Sequence, residues 1–212
     1  MPISYTYNTI FIHVPKCAGT TIEKMLGTCT PREYYDLKFR LENGQLKTPQ
    51  HFTYCELKSE LDINWENFYT FSVVRNPYSR FVSEYKYRKD LFQKTKKPEH
   101  DPSTFEVFIG KLNTDVNERI RMFDGHLETQ SGFLKNESGA IASNIEIFKF
   151  ENMTPCWEML QQRTKVEYKN YIWSNKSSDV TPYQDFFTPE TKATIYNFYK
   201  EDFDTFGYSS DL

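Results

Sequence analysis

At 212 residues the chain is long enough to bury one good-sized core and too short for two comfortable ones, so a single domain over residues 1–212 is expected. With 38% hydrophobic and 26% charged residues the composition is globular, and the 15 Tyr and 18 Phe predict a core built largely from rings. A formal net charge of −3 excludes a general nucleic-acid binder, which relies on many Lys and Arg contacts to phosphates.

Residues 10–14 form a short apolar run ending at Pro15 and read as a buried strand. A helix follows over residues 20–26, with Ile22, Met25 and Leu26 at helical spacing and Gly27 as its stop. Residues 28–50 are polar, with an Asn43-Gly44 turn signal, and residues 51–61 suggest a short helix. Residues 68–74 form the second buried strand, broken by Arg75-Asn76-Pro77 before a long helix from Tyr78 to about Phe92. Residues 94–101 read as a mobile charged loop. A helix N-capped near Ser103 is expected next, carrying Phe105, Val107, Phe108, Ile109 and Leu112. Residues 145–150 suggest a third strand and residues 155–162 a short helix. The last helix starts at Thr188-Pro189, carries Ile195, Tyr199 and Phe203 on one face, and stops at Gly207.

Buried strands alternating with helices predict an α/β fold with a parallel sheet and helices on both faces. Ligands of such sheets bind at the carboxyl ends of the strands. Lys16 follows the first strand and Arg75 the second.

The segment from Phe11 to Ile22, FIHVPKCAGTTI, joins a strand to a helix whose free N–H groups favour a phosphate or sulfate. Gly19 permits close approach of an anion, Thr20 and Thr21 bring hydroxyls, and Lys16 brings charge. A Walker loop, G-x-x-x-x-G-K-[ST], places its lysine after the second glycine, whereas Lys16 precedes the one glycine here. The second motif, RNPYSRFVS, sets Arg75 at a strand end and Ser83 about one and a half turns into the next helix, where they can hold a second phosphate from two sides.

Together these motifs resemble the sulfotransferases that use 3′-phosphoadenosine 5′-phosphosulfate (PAPS), in particular the carbohydrate and bacterial group. His13 to Thr21 is similar to that group's H-[IV]-P-K-x-x-G-[ST]-[ST] loop, and Arg75 to Ser83 to its R-[ND]-P-[YW]-x-R-x-[VI]-S motif. His51 to Leu57 resembles its H-x-T-x-x-E-L segment, Gln130 to Leu134 its Q-S-x-[FY]-L segment, and Phe148 to Met153 its R-[FY]-E-N-[LM] strand. Asn175-Lys176-Ser177 is similar to its late N-K-S, and residues 203–208 fit its usual ending. Two departures are Cys17, where Thr or Ser is usual, and Lys149, where Arg is common.

The resemblance implies a three-layer sandwich around a central parallel sheet, with P-loop-like detail. It implies sulfuryl transfer from PAPS, without a metal, to a hydroxyl of a carbohydrate or small-molecule acceptor. His51 would be the base and Lys16 would stabilise the leaving phosphate. Lys16, Cys17, Ala18, Gly19, Thr20 and Thr21 would hold the 5′-phosphosulfate, Arg75 and Ser83 the 3′-phosphate, and Lys176 would reach the cofactor phosphates. A P-loop-type nucleotide-dependent kinase is the alternative, but no Walker lysine or magnesium-holding acidic strand end is visible; a non-catalytic nucleotide-binding relative is the third reading.

Other residues read more plainly. His13 is expected to pack beneath the loop, while His100 and His126 are expected to be solvated. Glu56 either orients the base or caps its helix. The run Lys86, Arg88, Lys89, Lys94, Lys96 and Lys97 reads as a solvated face, with an anion-steering rim as its alternative. Cys17, Cys29, Cys55 and Cys156 lack zinc-ligand spacing and read as reduced thiols. With no leader or membrane-length apolar run, a cytoplasmic location is expected, and the sequons at Asn136, Asn152 and Asn175 are read as coincidence.

Overall fold

The computed structural model describes residues 3–28, 39–40, 46–167 and 179–212. Its central sheet has the order β1 (Ile3–Ser4), β2 (Thr9–Ile12), β5 (Tyr69–Val74) and β6 (Ile145–Lys149). The strands β2, β5 and β6 run parallel, and β1 pairs antiparallel at the edge. A separate hairpin joins β3 (Phe39–Arg40) to β4 (Leu46–Lys47). The Asn43-Gly44 turn expected between them lies outside the described residues.

Side chains on all four residues of β2 are buried, as a strand covered on both faces requires. Phe11 of β2 stands opposite Phe71 of β5 with ring centroids 5.0 Å apart, and Phe71 meets Phe148 of β6 at 6.1 Å. This phenylalanine ladder is the spine of the sheet core. Helices α1 (Gly19–Leu26), α2 (Tyr54–Glu60) and α7 (Thr154–Thr164) add Ile22, Leu57 and Trp157 to it.

A second apolar cluster is almost wholly helical. It joins α3 (Pro77–Thr95), α4 (Phe105–Gly110), α5 (Val116–Phe123), α8 (Pro189–Phe198) and α9 (Lys200–Phe206) through Phe81, Phe105, Phe108, Phe123, Ile195 and Phe203. The five-residue α6 (Gln130–Leu134) bridges the clusters, burying Phe133 and Leu134 in the sheet core.

The expected strands and helices are present; β1 and the β3–β4 hairpin come in addition, and the helices differ in four respects. Helix α3 runs on to Thr95, because no breaker precedes Pro98, and ends at Lys96 with φ 56°. The segment expected as a charged loop is therefore partly helix. The cap of α4 is Thr104 rather than Ser103: the Thr104 hydroxyl accepts from the Val107 N–H. The last helix breaks at Tyr199, whose φ of −100° and ψ of 19° leave the helical region. That break lets the buried Tyr199 hydroxyl donate to the Leu127 carbonyl at 2.7 Å, while Asp202 accepts from the N–H groups of Gln130 and Ser131, both at 2.8 Å. Helices α5 and α6 were not expected; they start on Asp115 and Thr129, whose side chains accept from the first turns.

Among the described residues no helix is long and apolar enough to cross a membrane.

Candidate active site

Parallel pairing of β2 with β5 brings both strand ends to one edge of the sheet, so the two motifs meet there. Arg75 Nη1 donates to the Lys16 carbonyl at 3.2 Å, and Arg75 Nε donates to Ser79 Oγ at 2.9 Å. The guanidinium also lies 4.2 Å from the centre of the Phe150 ring. Burial lowers the Arg75 pKa. Gln130 locks the corner: its Oε1 accepts from the Arg75 N–H and its Nε2 donates to the Arg75 carbonyl, each at 2.8 Å.

The loop between β2 and α1 is tightly wound. Lys16 (φ 69°) and Ala18 (φ 65°) both take the left-handed conformation, an uncommon one for side-chain-bearing residues. Ala18 is the N-cap of α1 and offers its first turn no side-chain acceptor, so the positive end of the helix has no cap from its own N-cap side chain. Gly19 is required by packing: a Cβ there would lie 1.8 Å from His13 Nε2. Thr21 is buried and its N–H donates to the Ala18 carbonyl at 3.0 Å, while Thr20 is half-buried. Cys17 is fully buried, and its Sγ lies 3.6 Å from both the Pro15 carbonyl and Gln130 Oε1. Its side chain therefore faces the protein interior, leaving its backbone as the part that can serve an anion. Burial pushes the Cys17 thiol up to about 12.

Lys16 Nζ sits 4.1 Å from the centre of the Tyr87 ring. Burial lowers its pKa, with Glu84 opposing and Arg75 reinforcing the shift. Among the described residues the buried side-chain polar atoms without a partner are Thr70 Oγ1 and Arg80 Nε. Lys16 Nζ, Arg75 Nη2 and Ser83 Oγ have no hydrogen-bond partner among those residues and are not in that sealed pair, which leaves them available to a ligand. This cationic and hydroxyl-bearing edge fits a polyanion. Lys176 lies outside the described residues.

His51 ends the turn Pro49–His51 and is buried. Its Nδ1 is 2.8 Å from Asp124 Oδ2. Asp124 also accepts from the Thr48 hydroxyl and, at 2.8 Å, from the Thr48 N–H. Burial pushes the His51 pKa down to about 4 against the pull of Asp124. Burial alone would raise Asp124, but its bonds to His51 and Thr48 win and hold it at about 2. The pair is thus a neutral imidazole with its proton on Nδ1, facing a carboxylate; Nε2 carries the lone pair.

Two further histidines flank it. The His13 ring centroid is 5.0 Å from that of His51, and the His126 centroid is 4.7 Å from it. His13 Nδ1 is 3.0 Å from Glu23 Oε1, whose partner oxygen accepts from Gln50 Nε2 at 2.8 Å. It packs beneath the loop as expected. The expectation for His126 fails: it is largely covered, with Nδ1 2.8 Å from the buried Glu84 Oε2. Arg80 explains why this turn is inside, donating to the carbonyls of His126 at 3.1 Å and Glu128 at 2.6 Å. Arg88 and Lys86 likewise leave the expected solvated face. Arg88 Nε donates to Glu84 Oε1 at 2.6 Å, and buried Lys86 donates to the carbonyls of Asp179 and Thr181. Glu56 caps its helix: its carboxylate accepts from the Thr53 N–H at 2.6 Å and from Lys47 at 2.8 Å.

Asp124 was not foreseen as the partner of His51. The Asp124-Gly125 dipeptide signals a turn, and Asp124 indeed ends α5 with φ 53°. Nothing in a separation of 73 residues announces the pairing.

Fold and site define an α/β protein with a cationic loop and a carboxylate-held imidazole at the C-terminal edge of a parallel sheet. A family model described as the sulfotransferase family matches residues 2–209, nearly the whole chain. No curated protein and no solved structure matches it. The chain belongs to the sulfotransferase family, and that membership supports sulfuryl transfer as its general chemistry.

Proposed function

We propose that this protein transfers the sulfuryl group of PAPS to a hydroxyl of a carbohydrate or small-molecule acceptor, with His51 as base and Lys16 at the leaving phosphate. The observation that carries this reading is the His51–Asp124 pair, whose imidazole lies 5.0 Å, centroid to centroid, from that of His13 at the head of the Lys16 loop.

PAPS supplies an activated sulfuryl group, and displacement at sulfur resembles phosphoryl transfer, in which positioning and electrostatics dominate. His51 Nε2 takes the acceptor proton, while Asp124 holds the ring and stabilises the imidazolium that forms. Lys16 Nζ stabilises the negative charge that develops on the bridging oxygen. Backbone N–H groups of Cys17, Ala18, Gly19 and Thr20 hold the 5′-phosphate at the start of α1, while that of Thr21 is taken up by the Ala18 carbonyl and leaves Thr21 its hydroxyl to offer. Arg75, through the Nη2 left over from its internal bonds, holds the 3′-phosphate with Ser83 Oγ, and the family's late N-K-S pattern assigns Lys176 to the cofactor phosphates.

Calorimetry with adenosine 3′,5′-bisphosphate, ADP and ATP tests the donor site. Tighter binding of the 3′-phosphorylated nucleotide is expected, and a preference for ADP or ATP overturns the reading in favour of a kinase. Transfer of radiolabelled sulfate tests turnover: His51→Ala and Lys16→Ala should each lose activity by roughly 10²–10⁴-fold. A His51→Ala variant with full activity removes the base assignment.

A further inference from the structure

His126 has a site of its own. Like His51 it binds a carboxylate through Nδ1, which places its proton there and leaves a lone pair on Nε2. The two rings stand edge to face, at 87° and 4.7 Å between centroids. Neither Nε2 has a hydrogen-bond partner among the described residues, and neither belongs to the fully sealed unpartnered atoms. His13 differs, because its Nε2 is packed against Gly19 of the loop. The three Nδ1 atoms go to three separate carboxylates, and no group among the described residues is arranged to hold a metal ion.

The second imidazole also lies on the way to the leaving-group lysine. Tyr87 bridges them, with its ring centroid 6.2 Å from that of His126 and its face under Lys16 Nζ at 4.1 Å. Glu84 fixes His126 from behind and is itself fixed by Arg88, so the ring is held rather than free to turn away. Two carboxylate-held imidazoles with centroids 4.7 Å apart can each meet a different hydroxyl of one acceptor.

We propose that His126 is a specificity-determining residue that accepts a hydrogen bond from the hydroxyl next to the one His51 deprotonates, so that the acceptor is a compound with two neighbouring hydroxyls. This rests on the sulfuryl-transfer reading above. Only one bond is broken on the acceptor, the O–H at His51; its proton goes to His51 Nε2 as the oxygen joins sulfur. The neighbouring hydroxyl keeps its proton and shares it with His126 Nε2. An acceptor lacking that second hydroxyl leaves a lone pair of His126 unanswered, a discrimination of roughly tenfold or more.

The test uses the full chain with PAPS and two simple alcohols as surrogate acceptors, 1,2-propanediol and 1-propanol, with the alkyl sulfate read by mass spectrometry. The wild type should favour the diol by about tenfold. His126→Phe should erase that preference while leaving adenosine 3′,5′-bisphosphate binding unchanged. His126→Gln keeps a side-chain donor for Glu84; it guards against loss of folding and should shift the diol KM more than kcat. A variant that keeps the preference overturns the inference, and so does a wild type that binds the bisphosphate yet sulfates both alcohols equally or neither. Failure to bind the bisphosphate instead overturns the sulfotransferase mechanism itself.

Discussion

Asp124 shows how one carboxylate sets the chemistry of a histidine it never precedes in a motif. With Oδ2 on His51 Nδ1 and further bonds from Thr48, it fixes both the tautomer and the tilt of the ring. Asp124→Asn keeps the size but can present its amide N–H toward Nδ1, which favours the wrong tautomer and cannot support an imidazolium. We expect kcat to fall by at least about 10²-fold with adenosine 3′,5′-bisphosphate affinity retained, read by sulfate transfer and calorimetry. At this scale the sequence showed His51 and Lys16 because each sits in a short local pattern. It concealed Asp124, Glu84 and Glu23, because a carboxylate's partner is set by the fold and not by spacing along the chain. Misreading His126 as solvated has the same origin: its polar neighbours are backbone carbonyls held by buried Arg80 and a carboxylate on α3.

The break between α8 and α9 is the element on which the site's far wall depends. A continuous helix would carry Tyr199 and Asp202 on a single rod. The bend at Tyr199 lets one reach Leu127 and the other the first N–H groups of α6. Asp202 caps α6, and α6 presents Gln130 to Arg75 and Cys17. Tyr199→Phe removes one buried hydrogen bond and leaves the Leu127 carbonyl unsatisfied, a loss of about 1–3 kcal/mol that denaturant unfolding should register. Donor affinity should fall as well if α6 loosens. Periodic segments such as α1 and the α8–α9 stretch were legible from their apolar stripes. Five-residue α6 has too few positions to show a period, and the break at Tyr199 has no Gly or Pro to mark it, so tertiary bonds decide both.

Across the whole molecule, buried ionisable groups make stability depend on pH. The folded His51 pKa is depressed from the usual 6.5 to about 4, so between these values the unfolded chain takes up a proton that the folded chain refuses. Stability therefore falls as pH descends through this window, and lowered His126 acts in the same sense. Asp124, held at about 2 against 3.8, contributes stability above 3.8 that is lost as pH falls toward 2. Asp202, whose pKa burial raises, pulls the other way near its own range. We expect urea midpoints to drop steadily from pH 7 to pH 4, and His51→Gln to flatten part of that slope. A midpoint constant over this range would contradict the burial of these imidazoles. The parallel α/β sheet itself was readable from apolar runs ending at Lys16 and Arg75, because strands buried on both faces have no alternation to disguise them.

The inward turn of Cys17 has a consequence for the reagents that the protein can withstand. Only a thiolate reacts readily with alkylating agents and peroxide, and a sealed thiol raised to about 12 stays protonated at neutral pH. Cys156, also buried and raised to about 12, shares that inertness, whereas half-buried Cys55 is within reach. A cysteine at the centre of the β2–α1 loop should thus leave that loop insensitive to iodoacetamide in the folded protein. Mass mapping should find Cys55 carboxamidomethylated well before Cys17, and Cys17 should label only once denaturant opens the loop.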